Sequence, residues 1–305
     1  MSRALSPTAV SFSCTARLGL VAGLSAAAIW GAYLALSRAG VAAGLDGFDV
    51  AALRYLVAGP VMLAILLMRR EGARPRMTSI QAITVSALLG PPFVLLSVGG
   101  YEFAPLAHGS VLVPASLTLG GLALSRLVLK ETLGFQRMIG VTVILAGLAL
   151  IVGWGVGPSG TALNGDAMFI LAGFSWAAFA TLQQRWQLPA MDVTAVVGFA
   201  GLITLVPGYL IFRGLEALMA LPQAMLVTQL IVQGLLSGVI AMIAFATSVR
   251  LLGAARAATF PALVPGFALL IGLPLTGDAL SMLQAFGLLA LGLGLLTVLP
   301  TAQAK

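Results

Sequence analysis

Apolar residues in this chain come in long blocks that are separated by short polar connections. Blocks of about 20 apolar residues span the ~30 Å hydrocarbon core of a bilayer as helices. Alternating segments of about ten residues, which are typical of transmembrane barrels, do not occur. The pattern predicts an all-α polytopic membrane protein with ten transmembrane helices, at residues 18–38, 49–68, 79–101, 106–127, 134–154, 165–186, 194–212, 225–249, 257–276 and 281–299.

The second half of the chain repeats the first at a nearly constant offset. Pro114 matches Pro261 at an offset of 147 residues (261 − 114), and Trp30 matches Trp176 at 146 (176 − 30). A repeat this long is a duplicated half-protein, which in so apolar a chain favours a transporter built from two related halves. We expect a cytoplasmic segment 1–17, a first five-helix repeat 18–154, a second five-helix repeat 165–299 and a cytoplasmic tail 300–305.

Positive charges lie mainly on one side of the predicted helices. With the N-terminus in the cytoplasm, Arg38 and Arg213 fall outside and Arg54 falls within the second block. The other 13 of the 16 Lys and Arg residues (16 − 3) fall on the cytoplasmic side, as membrane proteins prefer. Both termini are therefore expected in the cytoplasm. Because five helices per half is an odd number, the second half enters the membrane upside down, which predicts an inverted repeat.

Composition excludes several other classes of protein. The chain is 60% hydrophobic and 8% charged, whereas a typical soluble domain is about 25% charged. A pI of about 10.5 would favour nucleic-acid binding in a soluble protein, but here the basic residues set the topology, so no nucleic-acid partner is expected. The expected partners are the lipid bilayer and a small-molecule substrate. The oligomeric state stays open, with a monomer among the options.

Two tryptophans near the middle of their blocks are the leading candidates for a substrate cavity, because anchoring at the membrane interface does not explain them there. Spacings of three and four place aromatic and polar residues on one helical face in each half. These are Trp30, Tyr33 and Ser37 in the first half, and Trp176, Phe179 and Gln183 in the second. The alternative is helix–helix packing. The functional interpretation is an aromatic wall with a few polar groups, suited to an organic solute.

Helices that are interrupted in both halves supply further candidates. Block three carries Gly90-Pro91-Pro92, and the partner position in block eight carries Ser237-Gly238. Pro114 and Pro261 occupy matched positions, and each proline frees a carbonyl that either lines a cavity or marks a packing kink. We include Pro91, Pro114, Pro261 and Tyr101, at the end of block three, among the candidate substrate-binding residues.

Few ionisable residues lie inside the blocks. We expect Arg54 to snorkel or to pair with Asp46, Asp49 or Glu102; the alternative is recognition of a substrate carboxylate. His108, which is also among the candidate substrate-binding residues, opens block four, where a structural role is expected and proton coupling is the alternative. No carboxylate lies deep in a block, which gives little support to an acid-based proton pump. With one His and one Cys, we expect no catalytic residues, no metal site and no cofactor.

Glycines spaced seven apart recur in blocks five and ten. They are Gly140 with Gly147, and Gly287 with Gly294. Small residues on one face let membrane helices approach closely. We interpret both pairs as packing positions and not as a site.

Several weak motifs, taken in order, resemble a known family. Trp30-Gly31 in the first helix, and Pro114 followed by Lys130-Glu131, are similar to the EamA-like branch of the drug/metabolite transporter superfamily. The second half echoes them with Gly165-Asp166, Trp176 and Pro261. One departure is Gly277-Asp278, where the first half has Lys130-Glu131.

This resemblance covers essentially the whole chain and implies export from the cytoplasm by alternating access. Within the family, the chain looks like the YddG-type exporters of aromatic and other amino acids. That similarity implies an amino-acid exporter in the bacterial inner (plasma) membrane. The alternatives are an exporter of a drug or a sugar-linked metabolite and, from a different class, an intramembrane enzyme.

Overall fold

The computed structural model describes residues 14–68, 77–128, 135–152, 162–252, 257, 260–277 and 280–298. Within these residues the chain is helical and contains no β-strand. The long helices are α1 (Cys14–Ala42), α2 (Gly47–Leu67), α3 (Ser79–Glu102), α4 (Leu106–Val128), α5 (Phe135–Val152), α6 (Ala162–Arg185), α7 (Ala190–Phe212), α8 (Gln223–Leu252), α9 (Phe260–Thr276) and α10 (Met282–Val298).

The observed helices coincide with the predicted blocks over most of their length. Seven of them (α1 to α4 and α6 to α8) are long and apolar enough to cross a membrane, and α5, α9 and α10 carry shorter apolar stretches. The chain is therefore helical as predicted, whereas the count of ten spans and the cytoplasmic termini stay predictions. The matched acids Glu131 and Asp278 lie outside the described residues.

Polar side chains at the helix starts accept hydrogen bonds from backbone N–H groups. The first turn of a helix leaves these N–H groups without a partner. Asp46 precedes α2 and accepts hydrogen bonds from the N–H groups of Phe48 (2.9 Å) and Asp49 (3.0 Å). Thr78 and Gln81 form a capping box at the start of α3. These caps fix where each helix enters the apolar region.

Helix α3 is interrupted at Gly90, as the sequence predicted. It consists of Ser79–Leu89 and Pro91–Gly99, followed by a 3-10 turn, Gly100–Glu102. A Cβ atom on Gly90 would lie 2.2 Å from the Ser86 carbonyl oxygen, so only glycine fits this bend. The residues after it start a new helical direction.

Helix α8 is irregular in a different way. Its middle, Leu230–Ile240, is π-helical, between the α-helical segments Gln223–Gln229 and Ala241–Leu252. π-helical turns are rare and frequently lie at functional sites. The predicted irregularity at Ser237-Gly238 falls within this segment.

The helices pack in pairs that the sequence repeat relates to one another. Helix α1 packs along α9, and α6 packs along α4; α2 packs along α7, and α5 along α10. The main core cluster draws residues from α1 to α4 and from α6 to α9. Trp30 of α1 and Trp176 of α6 pack against this cluster.

Glycines bring α5 and α10 into backbone contact. A Cβ atom on Gly147 would lie 2.8 Å from the Gly287 oxygen, and one on Gly294 would lie 3.0 Å from the Gly140 oxygen. Residues late in α5 thus face residues early in α10, so the two helices are antiparallel. The predicted packing role of these four glycines is confirmed.

Candidate functional site

Trp30 on α1 and Trp176 on α6 contact each other edge to face at the centre of the molecule. Their ring centroids are 6.5 Å apart, with an interplanar angle of 83°. Phe245 on α8 lies 5.3 Å from Trp30, and Phe93 on α3 lies 5.6 Å from Trp176. Both tryptophans are only partly buried. We call Trp30, Phe93, Trp176 and Phe245 the aromatic cluster.

Tyr33 and Ser37 lie about one and two turns after Trp30, on the same face of α1. The Tyr33 hydroxyl is 3.5 Å from the Ser97 Oγ atom of α3. The Ser37 hydroxyl donates to the Tyr33 carbonyl oxygen (2.7 Å) and accepts from Gln233 Nε2 of α8 (3.1 Å). Ser37 and Gln233 are fully buried. The predicted face of α1 is therefore part of a polar surface, which includes Tyr33 and Ser37 of α1, Ser97 of α3 and Gln233 of α8.

Arg54 on α2 points at this polar surface. Its guanidinium carbon lies 5.3 Å from the centroid of the Tyr33 ring, within cation–π range. Its Nη1 atom donates a hydrogen bond to Ser237 Oγ on α8 (2.9 Å). The cation is thus enclosed by α1, α2 and α8.

The expectation that Arg54 pairs with Asp46, Asp49 or Glu102 is wrong. Asp46 pairs with Arg213, Asp49 accepts from the Tyr209 hydroxyl (2.7 Å), and Glu102 accepts from the Gly47 N–H (2.9 Å). Asp46 and Asp49 lie at the start of α2, where carboxylates satisfy free N–H groups. Arg54 lies further along the helix, about one and a half turns after Asp49, where it contacts Tyr33 and Ser237 instead.

His108 and Tyr101 lie in a second cluster, at the ends of α3, α4 and α6. The His108 Nδ1 atom is 2.8 Å from Asp166 Oδ1 of α6, and both side chains are buried. The Tyr101 ring packs 4.9 Å from Phe169. Asp166 lies near the start of α6, where the positive end of the helix dipole favours an acid. Its side chain is buried among protein atoms. This arrangement fits the structural role predicted for His108.

Four other predicted residues have described contacts away from the polar surface. Gln183 Nε2 donates to the Leu188 carbonyl oxygen (3.3 Å) in the turn between α6 and α7. Phe179 is buried in a packing cluster on which Trp176 also rests. Pro114 lies inside α4, and Pro261 lies in the 3-10 turn that opens α9.

Pro91 is the residue directly after the break in α3, two positions before Phe93 of the aromatic cluster. The break thus sets the direction of the segment that carries Phe93. Pro91 therefore contributes to the position of Phe93 in the aromatic cluster.

A comparison with protein families decides what kind of molecule carries this site. The model of the EamA-like transporter family matches residues 17–153 and again residues 163–299. The chain belongs to the EamA-like transporter family. It is therefore a membrane transporter, and the family unit occurs in it twice.

Curated relatives of this EamA-like transporter have similar lengths. An uncharacterized transporter, YdfC of Bacillus subtilis (strain 168), is 28% identical over 257 residues, which cover 81% of each chain. An uncharacterized inner membrane transporter, YedA of Escherichia coli (strain K12), is 28% identical over 284 residues, which cover 88% of this chain and 87% of YedA. Both names describe transporters and neither states a substrate.

A solved crystal structure of a protein has the same fold. It matches with a TM-score of 0.64 and 18% sequence identity, over 92% of this chain and 95% of the other. At this identity the likeness describes the EamA-like fold alone.

Several residues of the site were not predicted from the sequence. Phe93 and Phe245 complete the aromatic cluster, and Gln229, Gln233 and Ser237 form the α8 side of the polar surface. One signal was available, because the glutamines Gln229 and Gln233 are four residues apart in an apolar block. That spacing puts two polar side chains on one helical face, and lipid does not solvate them.

Proposed function

We propose that this EamA-like transporter exports amino acids, aromatic ones among them, or related small metabolites by alternating access in the bacterial inner membrane. One observation carries the proposal: Trp30 and Trp176, which match in the sequence repeat, contact each other while both rings stay partly exposed. A cavity wall of four aromatic rings beside polar groups suits a small organic solute.

Alternating access needs two halves that exchange conformations, and paired contacts support an inverted repeat. The contact of Gly147 with Gly287 and Leu291 has its counterpart in the contact of Gly294 with Gly140 and Ile144. Each partner differs from its counterpart by 147 residues (294 − 147, 287 − 140, 291 − 144). The antiparallel contact of α5 and α10 supports an exchange axis that runs across the helices, in the plane of the membrane.

A second contact supports the same relation at the centre. A Cβ atom on Gly31 of α1 would lie 2.4 Å from the Phe267 Cβ atom of α9. One on Gly120 of α4 would lie 2.9 Å from the Ala177 Cβ atom of α6. Gly31 matches Ala177 (177 − 31 = 146), and Gly120 matches Phe267 (267 − 120 = 147). The helices that carry Trp30 and Trp176 are thus held by equivalent neighbours.

The charge of the site favours zwitterions or anions over cations. The cation Arg54 contacts Tyr33, which lies one turn of α1 from Trp30, while Asp46, Asp49 and Glu102 are engaged at helix ends. A cationic drug in this position would meet a like charge, which costs free energy in a low-dielectric interior. The inner-membrane location is supported by the name of YedA.

Counterflow in proteoliposomes tests the proposal. Purified protein is reconstituted into vesicles that are loaded with an unlabelled amino acid, and uptake of the labelled amino acid is measured for each of the common amino acids. We expect uptake well above that of protein-free vesicles for at least one member of the panel, and we expect the aromatic amino acids to be among those with the highest uptake. Uptake at the protein-free level for every member would contradict amino-acid export.

A further inference from the structure

Arg54 is a cation in a membrane-spanning helix without a carboxylate partner among the described residues. A guanidinium has five N–H donors, and the hydrogen bond to Ser237 uses one of them. Ionisable residues inside membrane helices are costly and are usually functional. The cation–π contact with Tyr33 positions the guanidinium, so its remaining N–H groups suit an anion that binds between the helices.

Gln233 supplies a buried acceptor close to this cation. The Gln229 Nε2 atom donates to the Leu36 carbonyl oxygen (2.7 Å), so its Oε1 atom must accept from Gln233 Nε2 (2.9 Å). This chain of bonds fixes the amide orientation of Gln233. The Gln233 Oε1 atom is fully buried and has no hydrogen-bond partner. An unpaired buried acceptor costs free energy, which a donor group on a ligand would recover.

The two groups lie on adjacent turns of one surface. Ser37 contacts Gln233, and one turn away Tyr33 contacts Arg54, which in turn bonds Ser237. Trp30 is three residues before Tyr33, about 4.5 Å along α1 at the helical rise per residue. An acceptor, a cation and an aromatic cluster therefore follow one another along α1 and α8.

We propose that Arg54 binds the carboxylate of the transported molecule while Gln233 Oε1 accepts a hydrogen bond from its ammonium group. The side chain of that molecule then packs on the aromatic cluster. This assignment rests on the proposed amino-acid export and names the groups that recognise the α-amino-acid head. The ligand class is a zwitterionic α-amino acid with an apolar side chain.

Among the described residues, the second half has no counterpart of Arg54 at the repeat position. The position that matches Arg54 at the repeat offset is Gly201 (54 + 147), where a Cβ atom would lie 2.2 Å from the Tyr55 ring. The second half thus has no room for a counterpart cation. Arg54 beside the unpaired Gln233 Oε1 atom fits one amino-acid head with a defined orientation.

Binding of three related probes tests each group separately. The probes are L-phenylalanine, L-phenylalaninamide, which lacks the carboxylate, and 3-phenylpropionate, which lacks the ammonium group. Affinities are measured by isothermal titration calorimetry on the full-length protein in nanodiscs. Arg54→Gln keeps a donor for Ser237 and removes the charge, and Gln233→Leu removes the acceptor.

We expect R54Q to bind L-phenylalanine and 3-phenylpropionate about 10- to 100-fold more weakly, the range for losing a charge-assisted hydrogen bond. Its affinity for L-phenylalaninamide should change less than about twofold. Q233L should instead weaken L-phenylalanine and L-phenylalaninamide, and leave 3-phenylpropionate within about twofold. A merely structural Arg54 would change thermal stability and leave the ratio of the three affinities unaltered.

Two further variants serve as controls. Arg38→Gln removes another arginine of the membrane region, whose Nη1 atom donates to the Tyr101 carbonyl oxygen (3.3 Å). It should keep the wild-type order of affinities, because Arg38 lies outside the site. If R54Q does not purify as a single species, Arg54→Lys keeps the charge without the planar fork, and it should bind the two carboxylates with intermediate affinity.

The outcomes separate this inference from the proposed function. Equal loss of all three probes in R54Q, unchanged affinities in R54Q, or no binding of any probe by the wild-type protein would overturn the Arg54 assignment. In those cases amino-acid counterflow would still uphold the export function. Wild-type binding of 3-phenylpropionate but not of L-phenylalanine would uphold carboxylate recognition by Arg54 and overturn the role of Gln233 Oε1 as acceptor for the ammonium group.

Discussion

Trp30 and Trp176 are 146 residues apart in the chain (176 − 30), and yet their rings meet edge to face. Their position near the middle of two blocks made this pair predictable, since interfacial anchoring could not explain a tryptophan there. Each ring has a second aromatic neighbour, Phe245 or Phe93. The contact energy of such pairs comes on top of the apolar area that they bury.

We expect Trp30→Ala and Trp176→Ala each to lower counterflow about tenfold. Removing one aromatic contact to a ligand or a neighbouring ring is worth about 0.5–1.5 kcal/mol, and about 1.4 kcal/mol corresponds to a factor of ten. Counterflow rates per reconstituted protein measure the effect. Trp186→Ala is the matched control, because Trp186 packs near the end of α6 beside Leu188; it should transport within about twofold of wild type. Equal rates for all three variants would show that the aromatic cluster is not part of the substrate site.

Tyr33 and Phe179 match in the repeat, as do Ser37 and Gln183, but the structure uses the members of each pair differently. Helix α1 continues five residues beyond Ser37, whereas α6 ends two residues beyond Gln183. Gln183 therefore caps a turn, while Ser37 stays inside the bundle and meets Gln233. A repeat predicts which positions correspond, and the local helix end decides which of them can reach a cavity.

Among the helices, α3 and α8 show what sequence patterns can and cannot predict. The dipeptide Gly90-Pro91 predicts the break in α3, because proline disfavours a helical conformation of the residue before it. The π-helical segment Leu230–Ile240 has no such signature. It coincides with the tertiary hydrogen bonds of Gln229 and Gln233, whose partners lie on α1. Such contacts become visible only once α1 and α8 are placed side by side.

The pairing of α5 with α10 leads to a prediction about stability. We expect Gly147→Ala to lower the thermal unfolding midpoint, because its Cβ atom would lie 2.8 Å from the backbone of α10. Overpacking of this kind costs about 1–3 kcal/mol. Unfolding of the detergent-solubilised protein, followed by fluorescence, measures the change.

Gly292→Ala is the matched control on α10, since a Cβ atom there has open space around it. This variant should be neutral or slightly more stable, because alanine favours a helix over glycine by about 0.5–1 kcal/mol. If Gly147→Ala were as stable as Gly292→Ala, backbone contact between α5 and α10 would not contribute to the stability of the fold.

At the scale of the whole molecule, the two halves are alike in packing and unlike in chemistry. The contacts of Gly147 and Gly294 correspond under the repeat, whereas Arg54 has Gly201 as its counterpart. In the proposed alternating-access mechanism, matched packing would let the halves exchange conformations. The unmatched cation would then give the proposed site one polar end, so that a substrate would keep its orientation while the halves exchange.

Matched loops of an inverted repeat must lie on opposite sides of the membrane. We expect Ala43→Cys, between α1 and α2, to react with a membrane-impermeant maleimide in intact cells. Gln184→Cys, at the end of α6, should react only after permeabilisation, because five helices per half turn the second half over. Both changes are made with Cys14→Ser, which removes the native cysteine, and both positions are exposed.

Ala220→Cys, in the connection between α7 and α8, controls for expression and reactivity of the second half. It should be labelled in intact cells like Ala43→Cys, since one helix crossing, that of α7, separates it from Gln184 at the end of α6. Labelling is quantified as the fraction of protein that shifts in mass. Equal labelling of Ala43→Cys and Gln184→Cys in intact cells would contradict a single orientation, and with it the inverted relation from which the alternating-access mechanism follows.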